Sequence, residues 1–265
     1  MSTVSDMELM RTRWRRHLDV LALDKGTRSD FASAGLAGRV DRLVSRLILL
    51  PSDPDCERWA FDDAFWKQLE GHRSVNVGEG EIRLGDEVVA TAHAGAIIRT
   101  HGYGMPWQRY AAVHRNGAIE VGLGDRRYRH QTGDDADEPV YVDLGEIVAF
   151  TWALGEVARM LGISETAGSC LLVVALPNTH GALLAGLGEG YHSPARDHYE
   201  PLKCNEKNLL WNVELETAPA NTSESQALAF RVGSRVENAW GLRRQIYLDH
   251  SGRYEGQFNS RHFNR

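Results

Sequence analysis

Arg39, Arg42 and Arg46 recur at i, i+3 and i+7, so on a helix they form one stripe of guanidinium groups. Such a stripe neutralises phosphates, the sequence-independent part of nucleic-acid binding. Arg11, Arg13, Arg15 and Arg16 crowd an earlier segment in the same way. No aromatic residue is interleaved with Arg39, Arg42 and Arg46 to stack on bases, and an amphipathic helix exposes charge by default. A solvated surface is the plainer reading, with nucleic-acid binding through the stripe as the alternative.

His192, His198 and Cys204 are the candidate metal ligands, spaced six residues apart in a segment rich in glycine and proline. Zinc sites usually offer close ligand pairs, and this set has none. Asp134, Asp135, Asp137 and Glu138 offer oxygens to a hard cation but lack the glycine and closing glutamate of an EF-hand loop. Nucleophilic catalysis has less support still. There is no Gly-x-Ser-x-Gly elbow. Cys170 opens an apolar run where a thiol is normally inert, and Ser193 follows His192 without that adjacency making a base–nucleophile pair. Gly186, Gly188 and Gly190 lack the lysine of a phosphate-binding loop. No catalytic residue and no cofactor is assigned. The segment from His101 to Trp107, with Tyr103 between, carries imidazole and aromatic groups on an irregular backbone, the usual make-up of a binding loop. With His114 it forms the recognition-loop candidate, although a histidine on an apolar face more often packs than binds.

The elements that would position these groups follow from pattern. Ser5 and Glu8 suggest a capping box for a first helix. A second is expected from Ser33 to Leu49 on the stripe Leu36, Val40, Leu43, Val44 and Leu47, ended by Pro51. A short third helix covers Asp62 to Glu70. The period then changes to that of strands, at Glu81–Leu84 and Val88–Ala92 about Gly85-Asp86, and at Ala96–Thr100. Tyr110–Arg115 and Ala118–Leu123 flank Asn116-Gly117, which predicts a two-residue type I′ hairpin. That register pairs His114 with Ile119, Ala112 with Val121 and Tyr110 with Leu123, turning His114 inward and Arg115 and Glu120 outward. Asp143 and Glu146 cap a wide-faced apolar helix running to Gly162. Leu171–Leu176 reads as a buried strand and Asn208–Glu216 as an alternating one. Asn221 opens a last helix with Leu228, Val232, Val236 and Trp240 inward, and a short hairpin about His250–Gly252 closes the chain.

The order from the hairpin Val113-His-Arg-Asn-Gly-x-Ile-Glu through the Asp143–Gly162 helix, the Leu171–Leu176 strand, the Glu224–Gly241 helix and the closing hairpin resembles a known arrangement. It is similar to the region following the Schlafen-type AlbA domain in actinobacterial regulators described as DNA-binding or ATP-binding. The resemblance spans roughly residues 95–257. Residues 1–70 show no counterpart of the AlbA-type domain, which carries the nucleic-acid or nucleotide function in that family. The resemblance thus implies an accessory or sensing region standing alone, and it transfers no catalytic residue.

Composition agrees with a globular protein. The 265 residues are 42% hydrophobic and 25% charged, enough for a large core without disulfide or metal staples. A net charge of −6 argues against a surface that grips nucleic acid all over. Three widely spaced cysteines suit a reducing compartment. Together with an N-terminus that lacks an apolar signal core, they predict a cytoplasmic protein. The apolar runs Ile147–Leu154 and Cys170–Leu176 fall short of the about 20 residues that cross a bilayer, so no membrane is expected. The expected fold is α+β. N-terminal helices (residues 1–71) precede an α+β domain (residues 72–265) with a β-rich, hairpin-containing centre and a mixed C-terminal half, the two parts open to being one continuous domain. The expected function is that of a non-catalytic accessory or sensor protein of a bacterial regulatory or defence system, working through a protein partner. A metal-dependent hydrolase is the further alternative.

Overall fold

The computed structural model describes residues 43–77, 80–91, 95–99, 109–124, 141–166, 168–177, 179–185 and 203–241, with Glu8 and Thr12 as isolated helical positions. The fold is α+β. Its frame is one seven-stranded antiparallel sheet built from β1 (Leu43–Pro51), β4 (Glu87–Ala90), β5 (Gly95–Arg99), β6 (Arg109–His114), β7 (Ile119–Gly124), β9 (Cys170–Leu176) and β11 (Leu209–Leu215). The strand order is β11-β9-β1-β7-β6-β5-β4. A two-stranded antiparallel sheet, β2 (Ser74–Val77) with β3 (Gly80–Arg83), and a parallel pair, β8 (Tyr141–Asp143) with β10 (Leu183–Ala185), complete the β structure.

The central position of β1 corrects one expectation. The segment expected to end a second helix is a strand from Leu43 on, paired with β7 on one side and β9 on the other. Helical spacing misleads here because Leu47, Ile48, Leu49 and Leu50 are all buried. A strand covered on both faces has no polar alternation to betray it. β1 shares its sheet with strands from the second half of the chain, β7 and β9.

The helices cover one face. Leu47, Leu49, Ala111, Ile119, Val121, Leu123, Leu172 and Val174 pack into one core with α2 (Leu144–Met160). That helix starts where expected. Asp143 accepts from the Glu146 N–H at 3.0 Å, satisfying a donor that the helix itself cannot. From Leu144 to Ala158 every residue of α2 is buried, because β2, the large sheet and α4 (Thr222–Ala239) surround it. A Cβ on Gly155 would stand 2.7 Å from Ser225 Oγ, so glycine is what allows α2 and α4 to approach so closely. Asn221 caps α4 by accepting from the Glu224 N–H at 3.0 Å, and Leu228, Val232, Val236 and Trp240 are buried as expected. A short α3 (Ile163–Thr166) leads from α2 to β9.

The remaining helix, α1 (Asp63–Gly71), is capped by Asp62. It brings Phe65 and Trp66 into an aromatic group with Trp59 and Phe61. Strands β3 and β4 lie close to their expected positions but do not pair with each other across Gly85-Asp86. β3 turns back on β2, and β4 joins β5.

Candidate functional site

The hairpin of β6 and β7 closes one residue wider than Asn116-Gly117 suggests. His114 N–H donates to Ala118 O at 2.8 Å and Gly117 N–H to His114 O at 3.0 Å, leaving a three-residue loop, Arg115-Asn116-Gly117. Gly117 takes φ +88, the left-handed conformation this loop type requires of its last residue. Contacts from outside the hairpin fix the choice. Asn116 donates from Nδ2 to Pro54 O at 2.8 Å and accepts the Ala118 N–H at 3.0 Å. Arg58 N–H donates to Arg115 O at 2.8 Å.

The pairing becomes Val113 with Ile119, Ala112 with Glu120, Ala111 with Val121 and Tyr110 with Gly122. A shift of one residue exchanges the faces of a strand. Glu120 therefore points to the same side as Tyr110, Ala112 and His114, and the expectation of an outward Glu120 is overturned. The other side, with Ile119, Val121 and Leu123, is the one packed against α2.

This register creates a buried polar group around one carboxylate. Gly122 sits between Arg46 of β1 and Tyr110 of β6, while Glu120 sits between Ile48 and Ala112. A Cβ on Gly122 would collide with the Tyr110 ring. The bare glycine lets both long side chains lean across it toward Glu120. Arg46 donates from Nε at 2.9 Å and from Nη2 at 2.5 Å to Glu120 Oε1, and Tyr110 OH donates to the same oxygen at 2.5 Å. His114 Nε2 stands 3.5 Å from the other oxygen, Oε2, within ion-pair range but with no hydrogen bond made by either atom. Glu120 and Tyr110 are 0% exposed and His114 4%.

The electrostatics follow from burial and the arginine. Burial by itself pushes the Glu120 carboxyl up. The Arg46 charge, with His114 and Tyr110 assisting, overrides that and holds it at about 2. The Tyr110 phenol is pushed well above its ordinary value, by burial first and by the neighbouring carboxylate second. Arg46 gains from Glu120 more than burial takes away. The cluster is thus an ionised, internally neutralised pair. A carboxylate beside an imidazole is the orienting half of a catalytic triad, yet among the described residues no hydroxyl or thiol hydrogen-bonds His114 Nε2. The thiol of Cys170 is pushed up to about 12 by burial, which leaves it unreactive. What this arrangement does chemically is hold three central strands in one register.

Two sequence candidates from different classes, Arg46 and His114, thus meet at one carboxylate. Arg46 belongs to no helical stripe, and its charge is spent inside the protein. Arg39, Arg42, His101, Tyr103, Trp107, His192 and His198 lie outside the described residues, as do the acidic segment 134–138, the glycines 186–190 and the closing hairpin. Cys204 is buried with its Sγ 3.7 Å from Glu206 O. Among the described residues no three histidine, cysteine, aspartate or glutamate side chains gather as a metal set. No described helix is long and apolar enough to cross a membrane. Sequence reasoning missed Glu120 and Gly122. The signal was there, since a glycine inside an otherwise apolar strand marks a place where another group comes close.

A second region contrasts with this one. Among the described residues β11 is an edge strand, paired with β9 only. Its Leu210 is 69% exposed, the sole large hydrophobic side chain so placed among the described residues. Arg235 of α4 reaches over the Trp211 ring, 5.9 Å from its centroid, and donates to Asn212 O at 3.4 Å. Between the end of β11 and the first turns of α4 lies a groove of about 360 Å³. Leu215, Pro219 and Leu228 give it an apolar lining, with Glu214, Glu216 and Arg231 around them.

The chain matches no protein-family model, no curated protein and no solved structure.

Proposed function

We propose that this chain is a non-catalytic accessory or sensor protein of a bacterial regulatory or defence system, acting through a protein partner. One observation carries the reading. The constellation with the residue types of catalysis holds Tyr110, His114 and Glu120 buried, with a half-buried Arg46, and is neutralised within itself. General acid–base work needs a group that can reach a substrate proton, and this carboxylate is already held by three donors on one oxygen. The regulatory setting comes from the resemblance of the second half of the chain to the actinobacterial regulators.

The test is purification of the tagged chain from its native host under gentle conditions, followed by size-exclusion chromatography. The expected result is a stoichiometric complex with one other protein. A chain that elutes alone as a stable monomer in repeated preparations would overturn the reading. A nucleic-acid function would instead rest on Arg39 and Arg42 without Arg46. It would show as salt-dependent DNA or RNA binding lost on Arg39→Glu and Arg42→Glu.

A further inference from the structure

Asn116 is the one asparagine in the sequence that is followed by glycine. This pair is the most prone to deamidation, because glycine puts no side chain in the way of its own amide nitrogen. The Gly117 nitrogen, once it loses its proton, attacks Cγ of Asn116 and closes a cyclic imide. The bond from Cγ to Nδ2 breaks, and Nδ2 takes up the proton and leaves as ammonia. Water then opens the imide at either carbonyl, giving aspartate or isoaspartate. In isoaspartate the main chain runs through Cβ and Cγ and is longer by a methylene. Water is the only co-reactant, and nothing is oxidised or reduced.

The fold holds both reacting groups back. The nucleophile, Gly117 N–H, donates to His114 O at 3.0 Å, and a bound N–H gives up its proton less readily. The Asn116 amide is tied at both ends, by Nδ2 donating to Pro54 O at 2.8 Å and by Oδ1 accepting the Ala118 N–H at 3.0 Å. Arg58 lies over the glycine, since a Cβ on Gly117 would stand 2.6 Å from Arg58 Cδ. Arg58 N–H and Trp59 N–H both donate to Arg115 O, at 2.8 and 3.3 Å. Segment 54–59 thus holds the loop from outside the hairpin. The reaction needs the loop to come away from it, and the rate follows the population of the opened loop when reclosing is fast.

We propose that Asn116 is a deamidation site kept shut by segment 54–59, and that its conversion leaves the β6–β7 loop unable to lock again. An ionised carboxylate has no hydrogen to give to Pro54 O, so two acceptors would face each other where a hydrogen bond stood. The longer isoaspartyl chain also moves Gly117 N–H away from His114 O. His114 closes the loop and stands beside Glu120, so the lesion reaches the strands that carry the buried carboxylate. The step is one-way, and the modified fraction records how often the loop has opened. The inference is independent of the partner-binding reading.

The full chain is incubated in warm, mildly alkaline buffer, once folded and once in unfolding urea. Peptide mass mapping detects the exchange of NH2 for OH at Asn116, and isoaspartyl methyltransferase labelling detects the longer product. The unfolded chain should be modified readily and the folded chain slower by about tenfold or more, as loss of the loop's hydrogen bonds must come first. Urea kept below the unfolding midpoint should speed the reaction of the natural chain. Arg58→Gly, checked for folding by circular dichroism, should raise the folded rate about threefold or more and leave the rate in urea unchanged. Asn116→Gln, whose side chain is too long for the same ring, should lose the signal in urea. Asn116→Asp copies one product; it should unfold at lower urea than the natural chain, and its Gly117 amide should exchange faster with solvent. Three results would each overturn the proposal. One is an unmodified Asn116 in urea, another is equal rates in the folded and unfolded chain. The third is an Asn116→Asp variant with the stability and Gly117 protection of the natural chain.

Discussion

Strands β7 and β11 belong to one antiparallel sheet, yet each carries the residue that the other should have. β7, in the interior, holds an ionised glutamate at 0% exposure, while β11, at the edge, leaves Leu210 69% exposed. Charged groups are almost never buried unpaired, and one exposed leucine is ordinary on any surface. The reversal becomes informative through the neighbours. Glu120 has an arginine, a tyrosine and a histidine brought to it from both flanking strands, so its charge is answered from within. Leu210 has β9 on one side of its strand and, among the described residues, no paired strand on the other. The interior charge specifies the protein's own structure, whereas the exterior leucine is left largely in water.

The sharpest way to break this contrast is to remove the carboxylate. Glu120→Ala leaves the half-buried Arg46 without its partner and should cost about 3 kcal/mol of stability, measured by urea denaturation. Replacing both residues with apolar ones of similar volume, Arg46→Met with Glu120→Leu, should restore most of that loss. If the single change cost under about 1 kcal/mol, the size of an exposed pair, the cluster would not be the internal clamp described above.

Acid probes the same group without mutation. The folded Glu120 carboxyl sits at about 2, below its ordinary value of 4.5. A depressed carboxylate contributes stability that is fully present above its unfolded value and is lost as pH falls through the folded one. The contribution of Glu120 should therefore be complete above about pH 5 and shrink steadily toward pH 2, by roughly 3 kcal/mol in all. Comparing the pH dependence of unfolding in the natural chain and in Glu120→Gln isolates it. The difference between the two should narrow as pH falls; a constant gap would assign the stability to something other than ionisation.

Gly122 tests the geometry that makes the cluster possible. A methyl group there collides with the Tyr110 ring, so Gly122→Ala should cost about 1–3 kcal/mol as overpacking. Adding Tyr110→Ala should remove that particular penalty, so the two changes should combine to less than their sum. Strict additivity in the double-mutant cycle would show that the ring does not depend on the bare glycine.

How much of this was legible in the sequence depended on how local its causes are. The caps at Asp143 and Asn221 involve a side chain and a backbone N–H three residues away, and both helices begin where those patterns put them. β9 and β11 were legible as a continuous apolar run and an alternating one. β1 was not, because Leu43, Val44 and Leu47 suit a helical stripe while Ile48 and Leu50 are buried on the face behind it. Only the strands that flank it decide between the two. The hairpin shows the same limit at finer scale. Asn116-Gly117 located the turn, but Pro54 and Arg58, some sixty residues earlier, hold it in the three-residue form. From that one step of register follow the inward Glu120 and its meeting with Arg46. The place of β11 in the sheet could not be read at all, since whether a strand has one neighbour or two is a property of the assembled sheet.

The smallest expected effect is on the other side of the comparison. Leu210→Lys replaces a side chain already 69% in water, and surface changes of this kind stay within about 0.5 kcal/mol. The variant should therefore unfold at nearly the same urea concentration as the natural chain. A stability loss of about 2 kcal/mol, the scale of a buried leucine, would mean that Leu210 is covered within the protein's own fold. That result would make β11 a second piece of the interior, and the contrast between β7 and β11 would disappear.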